Sequence, residues 1–157
     1  MNKFYKISKS QFDEDITELM SSYDDIIIPK RATKYSAGYD FIAPFDFTLC
    51  PNETIKIPTG IKVQLDEDKF LAIVPRSSLG FKYRCQLNNT IGIIDSDYFD
   101  KEKNEGHIFV KMTNNGDRCF SVSKGDAFCQ GIILQYFLTE DDDSCEERRG
   151  GIGSTNR

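Results

Sequence analysis

One histidine, His107, serves a chain of 157 residues, and that scarcity removes whole reaction classes. No His-Glu-x-x-His zinc site can be built from it, nor a zinc-deaminase signature with its paired cysteines. A Ser-His-Asp triad would have to be assembled on His107 itself, which stands in a charged stretch. Cysteines number five, at 50, 85, 119, 129 and 145, an odd count with no Cys-x-x-Cys pair. This argues against a disulfide framework and a thiolate zinc site, and it predicts a cytoplasmic protein. A basic excess is missing too. Twenty Lys and Arg against 25 Asp and Glu leave a net charge of −5, the wrong sign for wrapping nucleic acid or resting on an anionic membrane. An anionic ligand must therefore be held locally, by a few arginines, backbone amides or a cation. The longest apolar runs, Ile26–Ile28 and Ile91–Ile94, fall far short of a membrane span. Met1–Lys9 lacks the apolar stretch of a signal peptide.

What is present reads as one domain, long enough for a core without staples. Residues 3–22 predict a short helix, capped by Ser8 with Gln11 at the box position and carrying Phe12, Ile16 and Leu19 at helical spacing. Residues 21–25 read as a linker. From Ile26 the pattern changes to β-branched and aromatic runs broken every few residues by Pro, Gly, Asn or Asp. Strands are predicted at 26–28, 39–43, 45–49, 54–62, 70–75, 86–87, 91–94, 108–113, 118–122 and 127–137. One helical turn is predicted at 77–82. Many short strands with a single internal helix argue a sandwich, jelly roll or barrel. The organisation expected is an N-terminal helical extension (1–25), a β domain (26–138) and a flexible tail (139–157), acidic and then rich in Arg and Gly.

Four segments carry residue types suited to chemistry. Pro75-Arg76-Ser77-Ser78-Leu79-Gly80 follows an apolar strand and opens a helical turn. Free amides, two hydroxyls and a guanidinium there suit a phosphate or oxyanion; a plain connection with Ser as N-cap is the structural alternative. Asn89 to Tyr98 runs from an Asn-Thr turn through an apolar strand into Asp95, Asp97 and Tyr98. A carboxylate at such a strand end can be partly desolvated toward a base's working range, or it can simply cap the strand in solvent. Lys124 to Gln130 reads as a turn entering a strand with one inward polar side chain. Arg148 to Thr155 combines guanidinium groups, glycines and hydroxyls, a composition for a closing phosphate grip or for a solvated tail. It is not a P-loop, since no Gly-Lys-Ser/Thr ends it.

Taken with Ala32 to Asp40 upstream, these segments resemble the five ordered motifs of the trimeric dUTPase family: Ala32–Asp40, Pro75–Gly80, Gly92–Tyr98 with Asn89, Gly125–Gln130 and Gly150–Thr155. The resemblance spans about residues 26–157 and keeps the family's order. It implies an all-β, jelly-roll-like (β-clip) dUTPase fold that forms homotrimers with shared active sites and hydrolyses dUTP to dUMP and pyrophosphate with Mg²⁺. By the same resemblance, Asp95 is the general base for water attacking the α-phosphorus. Asn89 and the backbone through Ile94 read uracil, and Tyr98 lies under the deoxyribose. Arg76, Ser77, Ser78 and Gln130 hold phosphates, and Asp40 holds waters of the metal shell. In the tail, Arg148, Gly151, Ile152, Gly153 and Ser154 close over the substrate.

The sequence departs from the family in places. Ile152 stands where the family usually has Phe, Ser78 where Gly is common, and the arginines before Gly150 are closely spaced, leaving Arg148 and Arg149 as alternatives. Residues 1–25 are an extension and 99–105 an insertion, either of which could meet a protein partner. A dCTP deaminase-like enzyme of the same fold, a nucleotide-gated regulatory protein and a structural jelly roll are the competing readings. The Asp-Ser-Asp-Tyr strand end and the Gly-rich tail favour the pyrophosphatase.

Overall fold

The turn signals divide the chain into short strands, as the computed structural model shows for the residues it describes, 1–16 and 22–145. In order these are β1 (Lys3–Lys6), β2 (Lys30–Arg31), β3 (Tyr39–Ile42), β4 (Phe47–Leu49), β5 (Thr54–Pro58), β6 (Ile61–Gln64), β7 (Lys69–Pro75), β8 (Cys85–Leu87), β9 (Gly92–Asp95), β10 (Phe109–Asn114), β11 (Phe120–Val122) and β12 (Ala127–Gln135). Two seven-residue helices, α1 (Lys9–Asp15) and α2 (Ser77–Tyr83), interrupt them. The main sheet is antiparallel in the order β2-β3-β12-β7-β9, a second runs β5-β10-β8, and β1-β6 and β4-β11 form two-stranded ladders. The fold is all-β and jelly-roll-like.

β7 explains how the sheet is centred. Its Leu71, Ala72 and Ile73 are consecutive and all buried, so both faces are covered, and β12 and β9 pair with its two edges. β10 instead alternates, with Val110, Met112 and Asn114 inward and Lys111 outward, the period of a half-buried strand. Buried Asn114 is satisfied: its Nδ2 donates to the Leu49 and Arg118 carbonyls at 2.9 Å each, and its Oδ1 accepts from the Gly116 N–H at 2.9 Å. That triple contact closes the turn into β11. Phe41, Phe128, Ile57, Leu71 and Ile108 form the centre of the core.

Several elements differ from the sequence reading. Lys3–Lys6 is strand rather than helix, paired antiparallel with β6 from Lys3↔Gln64 to Lys6↔Ile61; only Lys9–Asp15 is helical, with Ser8 capping as expected by accepting from the Gln11 N–H. The N-terminal segment is thus held to the β domain by the β1–β6 ladder. Residues 23–25 form a 3-10 turn. Ile26–Ile28 forms no strand, because Ile26 turns in against Gly60 and the run ends at a buried Pro29. The strand expected over 54–62 breaks at Thr59-Gly60, where Gly60 takes φ +73° and a Cβ would stand 2.7 Å from Ile26 Cδ1. β12 stops at Gln135, leaving Phe137 86% exposed. Cysteine counting did not foresee the disulfide between Cys50 and Cys119; their neighbours Leu49 and Phe120 are register partners on β4 and β11, which brings the two thiols together. No helix among the described residues is long and apolar enough to cross a membrane.

Candidate functional site

β9 and β10 border a cavity of about 130 Å³. Its apolar lining comes from Ile73, Leu87, Ile94 and Val110, its polar lining from Asn89, Asp95 and Tyr98, and its far side from His107 and Lys111. A cavity of about 150 Å³ takes a benzene-sized ring, so this one suits a single six-membered heterocycle. Gly92 lies within its wall, where a Cβ would approach Ile73 Cβ to 3.1 Å; the missing side chain lets the β9 backbone itself face a ligand.

The local sequence produces this arrangement. Thr90 takes φ +65° and its N–H bonds the Leu87 carbonyl at 2.9 Å, so Asn88-Asn89 forms a tight turn that sets Asn89 at the cavity mouth. β9 then pairs with β7, Ile73↔Gly92 through Phe70↔Asp95. Asp95 ends the strand, half-buried, at the N-cap position of the 3-10 turn Ser96–Tyr98 and without a side-chain cap bond to it. That turn swings Tyr98 into the interior, 7% exposed, with its hydroxyl donating to the His107 carbonyl at 3.0 Å and accepting from Asn104 Nδ2 at 2.7 Å. Four of the predicted residues, Asn89, Ile94, Asp95 and Tyr98, thus line one cavity.

The other predicted residues gather elsewhere. Asp40 and Gln130 are register partners on β3 and β12, so their side chains share a face. Gly38 makes room there: a Cβ at that position would stand 2.1 Å from Gln130 Oε1. Arg76 follows β7, its N–H bonding the Phe128 carbonyl and its Nη1 reaching the Ala127 carbonyl at 3.4 Å. Ser77 and Ser78 are exposed on the first turn of α2. The N-cap there is Arg76, without a side-chain cap bond, so neither serine is the cap that a plain structural connection would need. Asp95 faces Phe70 near the start of β7 and Arg76 follows its end. Six residues of strand separate the two levels, roughly 20 Å at about 3.3 Å per residue, too far for both side chains of one chain to meet on a single phosphorus. Arg148, Gly151, Ile152, Gly153 and Ser154 lie outside the described residues.

The sequence reading missed His107, set aside there as a residue in a charged stretch. It is fully buried and lines the cavity. Burial pushes its pKa below the ordinary histidine value, against the opposing pull of Asp15. Burial likewise raises the Cys85 thiol to about 11 and the Cys129 thiol well up, so neither is a ready nucleophile. Among the described residues no three metal-ligating side chains cluster. The insertion at 99–105 packs on the N-terminal segment: the Phe99 ring meets Tyr5 in a tilted arrangement at 5.6 Å, and Glu105 accepts from the Ser8 N–H at 2.9 Å.

Comparison with known proteins places the fold in a family. The family model described as dUTPase matches residues 24–156. The chain is 38% identical over 142 residues to a deoxyuridine 5'-triphosphate nucleotidohydrolase of Lactococcus lactis subsp. lactis, covering 88% of this chain and 95% of that protein. The crystal structure of a dUTPase from Streptococcus mutans superposes with a TM-score of 0.69 at 28% identity, covering 87% of this chain and 98% of that one. In fold it also resembles a dUTPase from phage phi11 of S. aureus, whose structure details coordination of a structural Mg(II) ion, with a TM-score of 0.65 at 18% identity over 93% of this chain and 97% of that one. A family match over most of the chain and a relative this similar leave one conclusion: the chain belongs to the dUTPase family.

Proposed function

We propose that the protein hydrolyses dUTP to dUMP and pyrophosphate, with Asp95 activating the attacking water. The observation that carries this reading is the convergence of Asn89, Ile94, Asp95 and Tyr98 on one ring-sized cavity. Uracil presents an O4 acceptor and an N3–H donor, which a backbone amide and carbonyl of β9 and the Asn89 side chain can match; cytosine reverses both. With Gly92 bringing the backbone close, a thymine methyl group finds no space. Tyr98 packs beneath the sugar, where its ring opposes a 2′-hydroxyl. Asp95 at the cavity edge accepts a proton from water aimed at the α-phosphorus, work for which a positioned carboxylate is suited.

Phosphates belong with Arg76, Ser77, Ser78 and Gln130. The separation of this group from Asp95 along β7 supports a homotrimer in which each site combines the cavity of one subunit with the Arg76 cluster of another. The tail, with Arg148 (or Arg149), Gly151, Ile152, Gly153 and Ser154, closes the site from above. Mg²⁺ suits the donor chemistry: one carboxylate, Asp40, beside an amide oxygen, Gln130, is what an ion that keeps several waters and binds phosphate oxygens needs. When bound, it offsets charge on the triphosphate. In its ring-sized cavity the protein discriminates by base and sugar. A pyrophosphate-release assay over dUTP, UTP, dTTP and dCTP with Mg²⁺ tests the reading. Release from dUTP alone is expected; ammonia release from dCTP would favour the deaminase instead.

A further inference from the structure

His107 is enclosed in the interior with both ring nitrogens engaged. The Gly60 N–H donates to Nε2 at 2.8 Å, so Nε2 is the unprotonated nitrogen and Nδ1 carries the hydrogen. That N–H meets Asp15 Oδ2 at 2.6 Å. The same oxygen accepts from Gln11 Nε2 at 3.0 Å. Asp15 closes α1, in the segment that precedes the residues the family model matches, 24–156.

The pair leads to the cavity by a continuous path. The His107 carbonyl accepts the Tyr98 hydroxyl, the Tyr98 hydroxyl accepts from Asn104, and the Asn104 carbonyl accepts the His107 N–H at 2.9 Å. Slack is absent at Gly106, where a Cβ would stand 2.4 Å from the Tyr98 carbonyl oxygen. Glu105 ties the same loop to Ser8 and to Lys62. Stability alone does not account for the pair. Buried polar pairs are often matched or bettered by apolar residues of similar volume, and Phe12 and Ile16, both buried, already dock α1. The Tyr98 hydroxyl bonds the backbone carbonyl of residue 107, so anchoring the His107 ring at Gly60 and Asp15 acts on Tyr98 by fixing where that carbonyl stands.

We infer that Asp15 is a positioning residue: through His107 it fixes Tyr98, and with it the discrimination of the site between deoxyribose and ribose. This rests on the dUTP reading above. Displacement of the Tyr98 ring by a fraction of an ångström would admit the extra hydroxyl.

The test compares dUTP and UTP kinetics for the full-length wild type, Asp15→Ala, Asp15→Asn and Phe12→Leu, with melting temperatures alongside. Asp15→Ala is expected to lower the dUTP-over-UTP ratio of kcat/KM about tenfold, chiefly through KM, the scale of one contact in a pocket. Asp15→Asn, which still accepts from Nδ1–H, should restore most of the ratio. Phe12→Leu loosens α1 by packing alone and should lower the melting temperature with the ratio intact. Should Asp15→Ala fail to fold, Asp15→Glu, which displaces the ring by one methylene, takes its place. Because His107 is the only histidine, ¹⁵N labelling of histidine reports its tautomer directly. The Nδ1–H form is expected in the wild type. An unchanged ratio in Asp15→Ala, an equal loss in Phe12→Leu, or the Nε2–H tautomer would overturn the inference while dUTP hydrolysis stood. Wild-type protein inert toward dUTP would overturn both.

Discussion

His107 illustrates how one side chain ties stability to pH. Its pKa in the folded chain lies below that of the unfolded chain, since burial outweighs the attraction of Asp15; Lys56 lowers it further and Glu105 opposes. As pH falls below about 6.5, the unfolded chain takes up a proton before the folded one does, so stability is full above that value and is lost on acidification. Thermal melts between pH 5 and 7.5 should therefore show a falling Tm on the acid side, and His107→Asn should flatten that slope. An identical slope in the variant would show that other groups carry it. At this scale the sequence was partly legible. Asp95, Asn89 and Tyr98 announced themselves because a polar cluster ends an apolar run. His107 did not, because its partner Asp15 lies 92 residues away and the enclosing strands come from distant parts of the chain.

Among the elements, β7 and its neighbours do the positioning. Register across β3, β12 and β7 brings Asp40 and Gln130 side by side, and Gly38 leaves the space that the Gln130 side chain fills. Gly38→Ala should push that amide aside. The obstructing atoms are mostly the flexible end of Gln130, so Tm is expected to change little while KM for dUTP rises severalfold; steady-state kinetics with parallel melts would reveal it. Ile57→Ala, at a fully buried position of β5, should instead cost about 2–5 kcal/mol, measured by denaturant unfolding, with catalysis per folded molecule retained. Local pattern predicted most strands, because the two-residue alternation and turn residues are written in adjacent positions. It failed where tertiary pairing decided: Lys3–Lys6 carries no strong strand signal and becomes one because β6 offers an open edge. The 54–62 run broke for a similar reason, since Ile26 needs the space at Gly60.

For the whole molecule, the separation of Asp95 from Arg76 along β7 predicts complementation between chains. Asp95→Asn and Arg76→Ala should each be inactive alone, and subunits of the two exchanged into mixed trimers should regain activity. No recovery after verified exchange would argue that one chain builds each site. On the proposed reading, in which the fifth motif adds donors to the phosphates, truncation after Glu147 should lower turnover sharply and leave the sedimentation of the protein unchanged. The family was legible from five short motifs in order, whereas a trimer with shared sites followed from that resemblance alone, since motif spacing in one dimension carries no distance between subunits.

A single-turnover experiment with saturating enzyme tests the role of Asp95 most directly. With dUTP and Mg²⁺, and binding of the substrate measured in parallel, Asp95→Asn should bind dUTP with near wild-type affinity and release pyrophosphate about 10²–10⁴-fold more slowly, the range expected for loss of a general base. A variant that cleaves bound dUTP at the wild-type rate would contradict the account.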